Sequence, residues 1–269
     1  MASVTGLADF NTPCTISTEP ENISAANVLM VAVKTYGLDE ALASVAHINF
    51  SSVLSVQNGV QFDESLALVF GQPNTVGSSA NGDARFTVNG GFIIGELPDG
   101  VSDRVQELVS MLQDSRINSE AVPNIRSLQW SKFAAWAAGT PLAVFTRLET
   151  HKFFSDPDCA LVFMRLLREI GKIAAEKNIP LVDSGPLPVG AIFSGSEEEA
   201  LSVVQELGVH FATHAPNHRM SPLQGLERGR RLEIDETLGY AITEAKKLDV
   251  PVPTLEVCYG LLCGINRNI

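Results

Sequence analysis

Lys132, Trp136 and Thr140 recur at intervals of four within the apolar run Leu128–Leu142, a spacing that stacks them along one face of a helix. An ammonium, a large flat ring and a hydroxyl on an alanine-rich face are suited to floor the pocket of a small anion. The competing reading is a core helix whose single lysine reaches water along its own stem. Lys34 and Asn58 form a second candidate pair. Each follows closely on an apolar run of strand length, Val28–Val33 and Val53–Val56, and in open α/β sheets ligands bind at the carboxyl ends of strands. Beside that stand plainer readings, a solvated loop lysine for Lys34 and an ordinary turn for Asn58-Gly59.

The elements that must position these residues follow from periodicity. Val28–Val33 is apolar at every position, the mark of a strand covered on both faces. A short helix pattern covers 38–46, the second strand ends at Gln57-Asn58-Gly59, and a helix follows over 62–70. Shorter strands are expected at 74–79, 85–89 and 92–97, with a weak strand hint at 14–17 and a helix over 103–113. From about residue 122 the pattern is helix after helix: one to Thr146 that Pro141 should kink or restart, one over 158–177 and one capped by Ser196 with Glu199. Two more follow, near 233–248 and 254–269. The expected fold is α/β plus all-α: an incomplete doubly wound, Rossmann-like parallel sheet over 1–118, then a helical domain over 119–269.

Composition narrows the function. The 269 residues carry a net charge of −12 and are 45% hydrophobic, which argues for a globular chain and against nucleic acid or an anionic membrane surface as partner. Lys34, Arg85, Arg104 and Arg116 are the only basic residues of the first 118, so an anionic substrate meets most of its possible partners in the second half. The four cysteines form no CxxC and no metal-type spacing with the histidines, so no metal site is expected. Scattered thiols and no recognisable leader point to a reducing, cytoplasmic setting.

Four short pieces occur in order: Ala32-Val33-Lys34-Thr35-Tyr36, Gln57-Asn58-Gly59, Trp130-Ser131-Lys132 with its helix, and Ser221-Pro222-Leu223-Gln224 leading to Glu233-Ile234-Asp235. Together they resemble the ketopantoate reductase (2-dehydropantoate 2-reductase) family of pantothenate biosynthesis, over roughly residues 26–269. The resemblance implies reduction of a 2-oxo acid by NADPH, with Lys132 as general acid. It implies that Ser221 and Glu233 serve substrate and cofactor, and that Lys34 and Asn58 line the cofactor and substrate cleft. Trp136 and Thr140 take positions where the family usually carries asparagines, so they are expected to touch substrate and to alter its choice.

The departures are part of the reading. A dinucleotide domain opens with a strand, a G-x-G-x-x-G turn and a helix, and no such turn occurs in this sequence. The expectation is that the first βαβ unit is missing and that Val28–Val33 becomes an open sheet edge. Residues 1–26, a partner subunit in a homodimer, or a preceding piece of chain would then cover it. The alternative to an NADP-dependent reductase is a truncated or degenerate member acting as a binding or assembly module. A related β-hydroxyacid dehydrogenase is a third reading.

Overall fold

Val53 and Leu54 are neighbours on one strand, and each is almost wholly buried in a different core. Successive side chains of a strand point to opposite faces, so this strand is covered on both sides. The computed structural model describes residues 2–4, 10–12, 15–80, 91–183 and 187–269, with backbone alone at 2–4, 10–12 and 78–80. The chain begins β1 (Ala2–Val4), β2 (Phe10–Thr12), β3 (Ala25–Val31), α1 (Leu38–Val45), β4 (Asn49–Ser55) and α2 (Phe62–Phe70). It continues β5 (Val76–Ala80), β6 (Phe92–Glu96), α3 (Asp103–Asp114) and β7 (Ser119–Ala121).

Helices make up the rest: α4 (Ile125–Thr146), α5 (Thr150–Ser155), α6 (Pro157–Glu176), α7 (Val189–Ser194), α8 (Glu197–His214), α9 (Ser221–Glu227), α10 (Tyr240–Lys247) and α11 (Pro253–Asn266). Two compact units result, Met1–Gln129 and Trp130–Ile269. The division falls inside α4.

In the first unit β3 and β4 run parallel, with Val28 opposite Ser52 and Val31 opposite Ser55. A bridge between Val53 and Thr75 leads on to β5, which is antiparallel to β6, and β6 is parallel to β7. Leu38 and Leu42 of α1 and Phe62 and Leu66 of α2 close over Val31 and Val53 on one face. Val105, Leu108 and Val109 of α3 close over Leu54, Val76 and Ile94 on the other. This is the incomplete doubly wound sheet expected from the sequence, with a helical domain after it.

Several details differ from the pattern reading. Val28–Val33 looks like an inner strand, yet β3 pairs only with β4 among the described residues, and Met30 and Val33 are 44% and 42% exposed. It is an edge. Among the described residues before it, β1 and β2 pair with each other and not with β3. The strand expected at 85–89 and Cys14 of the strand hint lie outside the described residues, and residues 15–17 form no strand. β7 has no apolar run to announce it. Its place is fixed from outside: the Val122 N–H donates to the Ile94 carbonyl at 2.9 Å, and the Gln113 amide donates to the Ser119 carbonyl at 2.8 Å.

In the second unit α4 continues through Pro141 without interruption; the ring deprives only the Ala137 carbonyl of its helical donor. α6 buries Met164, Leu167, Ile170, Ile173 and Ala174 on the stripe the periodicity marked. The capping box forms as read, the Glu199 N–H donating to the Ser196 hydroxyl at 3.2 Å and the Ser196 N–H to the Glu199 carboxylate at 2.8 Å. α8 then runs seven residues past the expected end near Leu207. Buried Glu169 accepts the N–H groups of Thr254 and Leu255 and so caps α11. The short α5, α7 and α9 are helices that the apolar periodicity does not mark.

Gly95 of β6 gives a direct test of this packing. A Cβ there would collide with the Val122 carbonyl oxygen and lie 2.9 Å from Ile125 Cβ. Gly95→Ala therefore forces β6 from the strand–helix junction beside it. The expected loss is about 2 kcal/mol, read as a fall of roughly 5 °C in Tm.

Candidate active site

In the first unit the ends of the two parallel strands bring Lys34 and Asn58 to one edge of the sheet. Gln57 holds that edge together. Its side-chain amide donates to the Val33 carbonyl at 2.7 Å, its side-chain oxygen accepts from the Ser55 hydroxyl at 2.9 Å, and its own N–H donates back to that hydroxyl at 3.1 Å. Gln57 is buried, and through it the residue before Lys34 is tied to the residue before Asn58. Lys34 itself is exposed and starts a 3-10 turn, its carbonyl accepting the Gly37 N–H at 2.9 Å. Asn58 is half-buried, and Gly59 after it has φ +109°, a conformation that favours glycine.

Five residues beyond Asn58, Asp63 occupies the first turn of α2 and is buried. One of its oxygens, Oδ1, has no hydrogen-bond partner, while the carboxyl bonds the side chain of Gln129. Burial pushes its acidity up to about pKa 7, against the opposing pull of Gln129 and Arg126. Asp63 was not picked out from the sequence, and Gln57 entered only as part of the Gln57-Asn58-Gly59 piece, with no role of its own. A signal existed for Asp63: it lies three residues before Leu66, on the stripe that α2 turns to the core.

In the second unit α4 presents Lys132, Trp136 and Thr140 on successive turns. Lys132 is half-buried among buried Phe133, Ala134 and Ala135, and burial pulls its amine down to about pKa 8. Desolvation is the cause. Ser131 is fully buried and accepts the Val182 N–H at 2.8 Å, which fixes the loop after α6 against the turn that carries Lys132. Trp136 is half-buried. Thr140 is fully buried and its hydroxyl donates to the Trp136 carbonyl at 2.9 Å, so only lone pairs remain for a ligand.

Gly139, two turns after Lys132 on nearly the same face, has no room for a Cβ, which would meet Met220 Sδ at 2.7 Å. Met220 therefore packs on that face of α4, and Ser221 follows it as the exposed first residue of α9. The Arg219 guanidinium holds this corner. It donates to both Glu227 carboxylate oxygens at 2.9 and 2.6 Å and to the Arg147 carbonyl, just past the end of α4, at 3.3 Å.

Glu233 is half-buried beside Leu232, whose N–H and carbonyl are both engaged by the Asn266 side chain, at 2.8 and 3.4 Å. A π-helical turn, Asp235–Gly239, follows at once, with the Gly239 N–H donating to the Ile234 carbonyl at 2.9 Å. Among the described residues no group of three or more His, Cys, Asp or Glu is placed to hold a metal ion. No helix of the described residues is long and apolar enough to cross a membrane.

The buried amine has a stability consequence. Lys132 binds its proton less tightly in the folded chain than in the unfolded one, so folding is penalised in full below about pH 8, and the penalty fades as pH rises toward 10.5. Lys132→Met should raise stability at pH 7 by about 2 kcal/mol, allowing for the partial exposure of the side chain. That gain should shrink above pH 8 in chemical denaturation; a gain constant up to pH 10 would contradict the buried ammonium.

Comparison with known proteins bears on this arrangement. The family profile described as ketopantoate reductase PanE/ApbA C terminal matches residues 124–266, and that described as ketopantoate reductase PanE/ApbA matches residues 2–93. A 2-dehydropantoate 2-reductase of Archaeoglobus fulgidus is 25% identical over 99% of this chain and 81% of its own length. The crystal structure of a PanE/ApbA family ketopantoate reductase from Ralstonia eutropha aligns with a TM-score of 0.77 at 20% identity, over 99% of this chain and 85% of that one. A ternary structure of D-mandelate dehydrogenase with NADH and anilino(oxo)acetate aligns at 0.76 and 16% identity, over 98% and 84%. With its sheet, its helical half and both profiles in agreement, the chain belongs to the ketopantoate reductase family.

Proposed function

We propose that this protein reduces a 2-oxo acid to the 2-hydroxy acid with NADPH as hydride donor and Lys132 as general acid. The observation that carries the proposal is an amine set into an apolar helix and brought to about pKa 8, near the working pH at which a proton donor is most effective. A reduced nicotinamide, when bound, supplies the hydride that C2 of the substrate receives. As negative charge grows on the carbonyl oxygen, the Lys132 ammonium stabilises it and then gives it a proton. Solvent reprotonates the amine.

The remaining residues take binding roles in this reading. Ser221 offers a hydroxyl to the substrate, Trp136 a ring face and one N–H, and Thr140 an acceptor. Glu233 serves as catalytic partner and as acceptor for hydroxyls of cofactor or substrate. Lys34 and Asn58, side by side at the strand ends, offer an ammonium and an amide, a donor set that suits the phosphate and ribose of NADP. The sequence has no G-x-G-x-x-G turn for the pyrophosphate. A second reading is a binding or assembly module without turnover. The relatives named for 2-dehydropantoate support ketopantoate as the first substrate to try, and Trp136 and Thr140 support a broader screen of 2-oxo acids, including aromatic ones. A homodimer that pairs along β3, which among the described residues has β4 as its one strand neighbour, belongs to the same reading; a single monomer boundary in sedimentation at micromolar protein would remove that partner.

Titration with NADPH, followed by nicotinamide fluorescence, separates the two readings. Absence of binding at millimolar cofactor would sink the reductase for this polypeptide. With binding established, Lys132→Ala should lower kcat by about 10²–10⁴ and leave cofactor affinity within a few fold. Because the protonated amine is the active form, the rate of the unmodified protein should fall about tenfold per pH unit above pH 8. A rate that stays level to pH 10 assigns the proton to another group.

A further inference from the structure

Asp63 has no role in the chemistry above, yet it is the described carboxylate that burial shifts furthest in the first unit. It sits in the opening turn of α2, preceded at N-cap by Gln61, whose side chain caps nothing. Phe62 on one side and Leu66 one turn on are locked into the core under β4. The Asp63 carboxyl reaches the side chain of Gln129 near the start of α4 and leaves Oδ1 without a donor. Two charged groups bear on it, Arg126 from α4 and Glu64 from its own helix. What α1 and β4 bring against α2 is apolar, Leu38, Leu42 and Val53.

A carboxylate in that place has the Gln129 side chain as donor but leaves Oδ1 bare, too little to repay its lost hydration, whereas a neutral carboxyl tolerates one idle oxygen. We propose that Asp63 is a positioning residue which, in its neutral form, pins the first turn of α2 and the Asn58-Gly59 turn before it to the opening turns of α4. The role of Asn58 in this rests on the reductase reading; the clamp itself does not. Ionisation works against it. The folded carboxyl titrates near 7 and the unfolded one near 3.8, so the clamp is firm at low pH and weakens as pH rises through that window.

Amide hydrogen exchange over residues 56–66 and 125–131, corrected for the intrinsic pH dependence of exchange, tests this whether or not the protein turns over. In the unmodified chain the protection of these segments should fall about tenfold per pH unit between pH 5 and 7 and level off above. Asp63→Asn keeps the shape and cannot ionise, so its protection should be nearly independent of pH; a profile that still falls as in the parent overturns the proposal. Gln129→Leu, which keeps the carboxyl and removes its partner, should lower protection over 56–66 at pH 5. Unchanged protection there overturns it equally. In an active preparation KM for the oxo acid should rise between pH 6 and 8 in the parent and stay level in Asp63→Asn. If exchange behaves as stated while nicotinamide never binds, the clamp stands and the reductase reading fails.

Discussion

An ammonium set into an apolar helix is costly at neutral pH, and the second unit is organised around carrying that cost. On α4, Lys132 is followed directly by the buried apolar residues Phe133, Ala134 and Ala135. The turn that bears it is held from outside by the Ser131 hydroxyl on the Val182 N–H. Met220 lies on the same face at Gly139, where any side chain on the helix would be in its way. Each contact removes freedom from the groups about the amine. A side chain whose proton affinity depends on dryness needs surroundings that stay put, and these contacts come from α4 itself, the loop after α6 and the approach to α9.

The first unit solves a different problem. Parallel strands expose their carboxyl ends together, and the side chains there point nowhere useful unless the ends are fixed to one another. Gln57 does this with both ends of its amide, spanning from β4 to the Val33 carbonyl. Below it the strand register and the two cores set the distance between Lys34 and Asn58, while Gly59 turns the chain into α2. The positions of the two residues are thus fixed by backbone and by a neutral amide, without charge.

Legibility in the sequence followed the strength of the local physics. β3, β4, α3 and α6 were readable because apolar periodicity alone specifies them. Ser196 with Glu199 was readable because a capping box is a local device. β7 was not, since Ser119–Ala121 has no pattern of its own and is ordered by Gln113 and Ile94, which lie elsewhere in the chain. α7 and α9 hide behind Pro188 and Pro222, residues that mark loops and helix starts alike. Lys132 and Asn58 drew notice by type and place. Asp63 did not, because an acid in a first helical turn is usually solvated, and what makes it unusual is its burial, which tertiary packing sets.

The π-helical turn at Asp235–Gly239 has a bearing on how this part of the chain can change over time. Such a turn accommodates one residue more than α geometry would; here the Gly239 N–H reaches back five residues to Ile234. Losing one residue from it would leave an ordinary helix, with α10 and its buried Ala241, Ile242 and Ala245 undisturbed. Everything before the turn would swing by about 100° about the axis, and Glu233 with it. Chain length at this one spot therefore acts as a dial on the bearing of a carboxylate, and a lineage could reset it by a single codon without repacking the core.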